Sequence, residues 1–180
     1  MTDRYTKTAV ILHWLIALLI FVAFPLGLYM HGLSLSPTKL RLYSYHKWIG
    51  VTVFLFEVIR VFWRSTHRPP LLPEAMLRWE KIAAESVHYV LYTLIFIVPI
   101  TGWLMSSAKG FQTVWFGVLP LPDLVGKNKA LGDLLQELHE MFNYIMLGLV
   151  IAHVAAAIKH HFIERDDILT RMIPFLDKKS

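Results

Sequence analysis

Four apolar stretches of near-membrane length take up most of this chain: Ala9 to Met30, about Tyr45 to Trp63, about Val87 to Ser107, and about Leu138 to Lys159. A helix rises about 1.5 Å per residue, so about 20 residues cross the roughly 30 Å hydrocarbon core of a bilayer. In that core every backbone N–H and C=O must find its partner within the protein, which makes each stretch a helix. The expected architecture is all-α, a four-helix transmembrane bundle in one domain spanning residues 1-180. Composition agrees: 56% of residues are hydrophobic and 17% charged, against about 45 to 50% and 25% in soluble domains. The first stretch is longer than a signal-peptide core and no A-x-A-like cleavage site follows it, so it reads as a span. Pro25 and Pro99 fall inside the first and third spans, where neighbouring helices satisfy the freed carbonyls, so kinks are expected rather than breaks.

Lys and Arg set the orientation. Arg4 and Lys7 precede the first span, Arg60, Arg64, Arg68, Arg78 and Lys81 flank the second loop, and Lys159, Arg165, Arg171, Lys178 and Lys179 follow the fourth span. The opposite loops mix Lys39, Arg41, Lys47, Lys109, Lys127 and Lys129 with Asp123, Asp133, Glu137 and Glu140. The positive-inside bias puts both termini in the cytoplasm. The net charge of +5 is mainly this topology signal. Because the basic residues flank apolar spans and build no separate domain, nucleic acid is not an expected partner.

His139 and His153 lie fourteen residues apart in the last span, on one helical face and roughly 21 Å apart along the axis. One helix with that spacing can ligate two stacked haems. In the expected topology His13 and His153 come near the inner face, His46 and His139 near the outer face. Depth therefore pairs His46 with His139 and His13 with His153, one bis-histidine centre toward each side. The chain has no Cys, which excludes disulfides, thiolate ligation, iron–sulfur clusters and covalent haem attachment. The expected cofactors are two b-type haems. Isolated intramembrane histidines also serve as interfacial or hydrogen-bonded core residues, and the depth match across four of them is what favours ligation.

Other residues cluster around that set. His88, near the cytoplasmic start of the third span, shares the depth of His13 and His153; it is a rival inner ligand, a proton donor, or an interfacial histidine. His160 falls seven residues after His153, roughly 10 Å closer to the cytoplasm. An imidazole there can deliver protons at the inner surface, although His160, His161 and Lys159 also read as a polar edge. Arg60 is placed either to meet a haem propionate or to snorkel to inner headgroups. Glu57, one turn before it, needs a partner in apolar surroundings: Arg60, or a role in carrying protons. Gly50, one turn after His46, allows close approach of a porphyrin or plain helix packing. Trp48, Trp63, Trp79 and Trp115 read as an aromatic belt, and GFQTVWFGVLPLPDL, residues 110–124, as a lid above the outer haem.

The segments RYTKTAVILHWLIALLI, YHKWIGVTVFLFEVIRVFWR, HYVLYTLIFIVPITGWLM and QELHEMFNYIMLGLVIAHVAAAIKHHF together resemble the bacterial cytochrome b561 family over nearly the whole chain. The resemblance implies a four-helix inner-membrane protein with two haem b groups, with His13, His46, His139 and His153 at the positions of the axial ligands. Arg60 fits the family pattern and Glu57 does not. The fourth span and tail are similar to superoxide oxidase, a member class that passes electrons from superoxide outside the membrane to ubiquinone, and His160 corresponds there to a quinone-site histidine.

The expected function is electron transfer through two haems to or from the quinone pool, with superoxide oxidation outside coupled to ubiquinone reduction. The outer lysines and Arg41 would raise the local concentration of a small anion, although nearby carboxylates weaken that signal. The rival is a relay subunit that links quinone to a separate periplasmic or membrane redox partner. A haem-free metal or solute transporter would account for the intramembrane histidines and Glu57 but not for the matched depths.

Overall fold

The computed structural model describes residues 4–173 and Leu176; Lys178 and Lys179 lie outside the described residues. Four long helices follow one another: α1 (Lys7–Gly32), α2 (Pro37–Thr66), α3 (Arg78–Ala108) and α4 (Lys129–Lys159). Each start is chemically marked. The Thr6 hydroxyl accepts from the Ala9 N–H at 3.3 Å, Ser36 from Lys39 N–H at 3.2 Å with Pro37 opening the helix, and the Asn128 side chain from Leu131 N–H at 3.0 Å. At α3 the Glu80 carboxylate instead accepts from the Leu77 N–H at 3.2 Å. Helices α1 and α3 run uninterrupted through Pro25 and Pro99.

Helices α2 and α4 begin about two turns before the apolar stretches that announce them. Those added turns hold Lys39, Arg41 and Ser44 in α2, and Asp133, Gln136 and Glu137 in α4. Apolarity marks only the depth of the membrane, whereas backbone hydrogen bonding and the caps carry a helix on into the headgroup region. By length and composition α1, α3 and the segment Lys129–Glu164 can cross a membrane. Helix α2, with Lys47, Glu57, Arg60 and Arg64 along it, does not reach that apolarity.

Helix α1 lies along α2, α2 against α3, and α3 along α4, while α4 does not run close along α1 or α2. A six-residue core bridges the helices: Ile16 from α1, Val53 from α2, Leu91, Leu94 and Ile95 from α3, and Met146 from α4. Outward faces are apolar as well, with Phe21 79% and Phe62 70% exposed, as expected where lipid is the solvent.

The connection from α3 to α4, the stretch expected to form a lid, contains two short antiparallel strands, β1 (Val114–Trp115) and β2 (Leu119–Pro120). Gly117 at φ 73° and Phe116 at φ 50° turn this hairpin. The indoles hold it to the helices. Trp48 Nε1 donates to the Val114 carbonyl at 2.7 Å, Trp115 Nε1 to Thr52 Oγ1 at 3.3 Å, and Trp103 Nε1 to the Pro122 carbonyl at 3.1 Å.

Candidate functional site

Histidine pairs bridge the helices whose backbones stay apart. His46 on α2 faces His139 on α4, and His13 on α1 faces His153 on α4, each with ring centres 6.3 Å apart and planes inclined by 82° and 64°. Two imidazoles on one iron, each with a bond of about 2 Å and about 1.1 Å from nitrogen to ring centre, put their centres about 6 Å apart. Both pairs thus have the separation that a shared iron requires. The core of Ile16, Val53 and Met146 lies between them.

The His46–His139 pair also has the hydrogen bonds that favour metal binding at the other ring nitrogen. His46 Nδ1 lies 3.1 Å from the Ala23 carbonyl, and His139 Nδ1 lies 2.9 Å from the Val98 carbonyl. A carbonyl only accepts, so both Nδ1 atoms carry the proton and Nε2 keeps a bare lone pair, the tautomer that binds metal. Thr101 Oγ1, itself bonded to the Val98 carbonyl, stands 3.2 Å from His139 Nδ1, and Asn143 Nδ2 donates to the His139 carbonyl at 2.7 Å. A shallow apolar cleft lies beside this pair, lined by His46, Gly50, Val53, Val98, His139 and Met146 among others. A Cβ on Gly50 would meet nothing within 4 Å, so its Hα borders open space rather than a packed helix. The residues fit a flat macrocycle at this level.

Two glycines that the sequence reading passed over let the imidazoles sit there. A Cβ on Gly27 would come 3.2 Å from His46 Cε1, and one on Gly102 3.1 Å from His139 Cε1. Each glycine is four residues after the carbonyl that holds the ring, on a helix with a proline between the two: Ala23, Pro25, Gly27 and Val98, Pro99, Gly102. A proline followed closely by a glycine within an apolar span was the available signal.

The His13–His153 pair differs. Arg60 Nη2 donates to His13 Nδ1 at 3.3 Å, Arg60 Nη1 lies 3.6 Å from Glu57 Oε2, and the guanidinium carbon sits 4.8 Å from the centre of the Tyr92 ring. His88 on α3 brings a third imidazole, its ring centre 5.1 Å from that of His153. His13, His88 and His153 therefore gather at one level, and Arg60 reaches them from α2.

His160 ends α4 in helical conformation, φ −58° and ψ −42°, seven residues after His153 on the same face. It opens a π-helical turn, His160–Glu164, that ends on Arg165 at φ 57°. The wider turn brings two carboxylates that the sequence reading did not single out to one ring nitrogen: Nδ1 lies 2.5 Å from Glu164 Oε2 and 2.7 Å from Asp166 Oδ2. Their other oxygens are occupied, by Lys159 Nζ at 2.6 Å and by the Ile168 N–H at 3.1 Å. Lys159 Nζ also lies 2.8 Å from Glu80 Oε1. The His160 side chain is 8% exposed. Beyond it the tail folds back under the bundle, where Trp14 Nε1 donates to the Met172 carbonyl at 2.9 Å and Arg171 to the Leu71 carbonyl at 2.6 Å.

Of the cations at the His46–His139 end, Lys39 caps α1 through the His31 and Leu33 carbonyls, Lys129 pairs with Asp133 at 2.8 Å, and Lys109 bonds Gln136 near Asp133. Lys47, next to His46, donates to the Phe111 carbonyl at 3.1 Å, with the Asp123 charge nearby.

Apolar helices with facing imidazole pairs toward both ends define an all-helical membrane protein built around intramembrane histidines. The chain belongs to the prokaryotic cytochrome b561 family, whose model matches residues 4–175. Proteins of this family bind b-type haem and transfer electrons in prokaryotic membranes. It is 34% identical over 172 residues to cytochrome b561 homolog 2 of Escherichia coli, covering 95% of this chain and 92% of that protein. Homolog 1 of the same organism is 28% identical over 178 residues, covering 96% and 98%. The probable superoxide oxidase CybB of Yersinia pestis is 25% identical over 178 residues, covering 97% and 98%.

Proposed function

We propose that this protein carries electrons across the bacterial inner membrane from superoxide on the outer side to ubiquinone on the cytoplasmic side. All four helices cross the membrane in this reading, α2 with the Glu57 and Arg60 side chains turned inward, and both termini are cytoplasmic. His46 and His139 hold an outer haem b and His13 and His153 an inner one. The observation that carries the reading is the 6.3 Å separation of both ring pairs. When bound, the haems supply one-electron carriage, which allows a single-electron donor to serve a two-electron acceptor.

The chain's own residues do the rest. The Ala23 and Val98 carbonyls fix the outer imidazoles in the binding tautomer, and Gly50 leaves the face of the cleft open. Lys47 holds a positive charge beside His46, where it attracts a small anion. On the inner side Arg60 occupies His13 Nδ1, so the ring proton resides on Nε2. Loading requires Arg60 to release that nitrogen, and a haem propionate is the acceptor that takes the guanidinium in a charge-assisted pair. His160, its Nδ1 held by Asp166 and Glu164, presents Nε2 to a quinone head group entering from the bilayer and supplies a proton there. His88 is the second quinone-facing imidazole. The relatedness to a probable superoxide oxidase, together with near-complete coverage of both chains, supports the choice of donor.

Stopped-flow absorbance on the oxidised protein mixed with superoxide, with and without a soluble ubiquinone analogue, tests this. Rapid appearance of reduced b-haem bands and their reoxidation by quinone is the expected result. Bands that respond to dithionite but ignore superoxide would leave a relay that needs a partner, and a colourless protein would refute the ligand assignment.

A further inference from the structure

Glu57 is the only fully buried carboxylate among the described residues, at 0% exposure, and neither of its oxygens has a hydrogen-bond partner. Its nearest cation is Arg60, at 3.6 Å too far for a hydrogen bond, and the same guanidinium spends its other terminal nitrogen on His13. Position makes this unusual. In the proposed topology α2 and α4 run the same way, and His46 lies level with His139. Eleven residues on, Glu57 is about 16 Å deeper, roughly one turn short of the level of His153. It therefore sits between the two histidine pairs and close to the inner one. The titratable and charged groups around that level are His13 from α1, His88 and Tyr92 from α3, His153 from α4, and Arg60 and Arg64 on α2 itself. None of them hydrogen-bonds the carboxylate.

A carboxylate without hydrogen bonds at this depth is held ionised only by nearby positive charge, and a neutral carboxyl is tolerated far better. In a low-dielectric interior, one unit of charge added within about a nanometre is enough to tip such a balance. Resting on the haem reading above, we propose that Glu57 is a redox-linked proton site. It takes one proton from cytoplasmic water as one electron arrives at the centre held by His13 and His153. It returns that proton when the electron leaves for the quinone. Carboxylate becomes carboxylic acid as ferric iron becomes ferrous, so the inner half of the protein keeps its net charge. Each electron then enters an already compensated site, which favours delivery of two in succession to one quinone.

The test is spectroelectrochemical titration of the haem-loaded protein across the neutral pH range. One of the two haem transitions should move to lower potential as pH rises, by up to a tenfold change in the oxidised-to-reduced ratio per pH unit, about 59 mV for one proton per electron. The other should stay flat. Glu57→Gln and Glu57→Met should abolish the slope, and Glu57→Asp should keep it. A reduced-minus-oxidised infrared spectrum of the unaltered protein should show the carbonyl stretch of a protonated carboxyl gained on reduction and lost in Glu57→Gln. A flat response in the unaltered protein, or a slope that survives Glu57→Gln or Glu57→Met, overturns the inference. If neither variant retains haem, absence of the infrared band from the unaltered protein overturns it and its presence supports it. Two haems without the slope refute this inference alone, whereas a colourless protein refutes the haem reading with it.

Discussion

Replacing Gly102 with alanine puts one methyl group against the ring of His139. The new Cβ would stand 3.1 Å from Cε1, against an ordinary carbon–carbon contact of about 3.5 to 4.0 Å, so the imidazole must retreat by about 0.5 Å. Its retreat is opposed by the Val98 carbonyl at 2.9 Å on Nδ1. Metal–ligand distances tolerate about 0.2 Å, so the ring has to strain its bond to iron or give up the carbonyl. Overpacking of this kind costs about 1 to 3 kcal/mol, which corresponds to about a 5- to 150-fold loss of outer haem affinity. Because alanine gains about 1 kcal/mol over glycine in helix propensity, thermal stability of the apoprotein is a poor readout, and haem retention is the informative one. The assay is haem per protein after dilution and gel filtration, with the reduced spectrum resolved into two components. Gly102→Ala should lose one component selectively, Gly27→Ala should act likewise through His46, and Gly148→Ala, whose Cβ meets nothing within 4 Å, should lose neither. A Gly102→Ala protein that keeps two haems with unchanged spectra and potentials would refute the argument that this glycine exists to admit the imidazole.

His46→Ala should remove the outer haem and spare the inner, roughly halving the haem-to-protein ratio measured as the pyridine complex. Arg60→Leu should weaken the inner haem by about 10- to 150-fold, the worth of a hydrogen bond to a charged group, read as faster loss of one spectral component to an excess of apo-globin, with Arg60→Lys in between. Asp166→Asn should slow quinone turnover by about 10- to 100-fold through kcat while leaving superoxide-driven haem reduction and both spectra unchanged, because it disturbs the partner of His160 and no haem contact. Equal slowing of haem reduction would place Asp166 in the general stability of the tail instead.

Much of this arrangement is legible in the chain because membrane solvation is such a strong constraint. Apolar runs of bilayer length must be helices, and the fourteen-residue spacing of His139 and His153 puts two imidazoles on one face whatever surrounds them. Depth alone selects His13 and His46 as their partners. The family could be read from the segments around those histidines, and the match over residues 4–175 confirms it. Helix ends were less legible, since α2 and α4 continue as polar helices where hydropathy falls silent. The hairpin β1–β2 was hidden because its apolar residues serve tryptophan anchoring as well as contact with the membrane.

Three features were decided only in three dimensions. The carbonyls of Ala23 and Val98 became ring acceptors because Gly27 and Gly102 leave room for an imidazole there, a contact between residues 23 and 46, and 98 and 139, that no local pattern encodes. His160 acquired Asp166 and Glu164 because a π-helical turn follows the end of α4 and brings the next residues back to its ring. Arg60 went to His13 and left Glu57 without a hydrogen bond, an outcome fixed by how α1 and α2 pack. The one-dimensional sequence determines depth and helical face, since those follow from rise and twist per residue. Which atoms meet across the bundle depends on the separation of helices, and only the packed structure sets that.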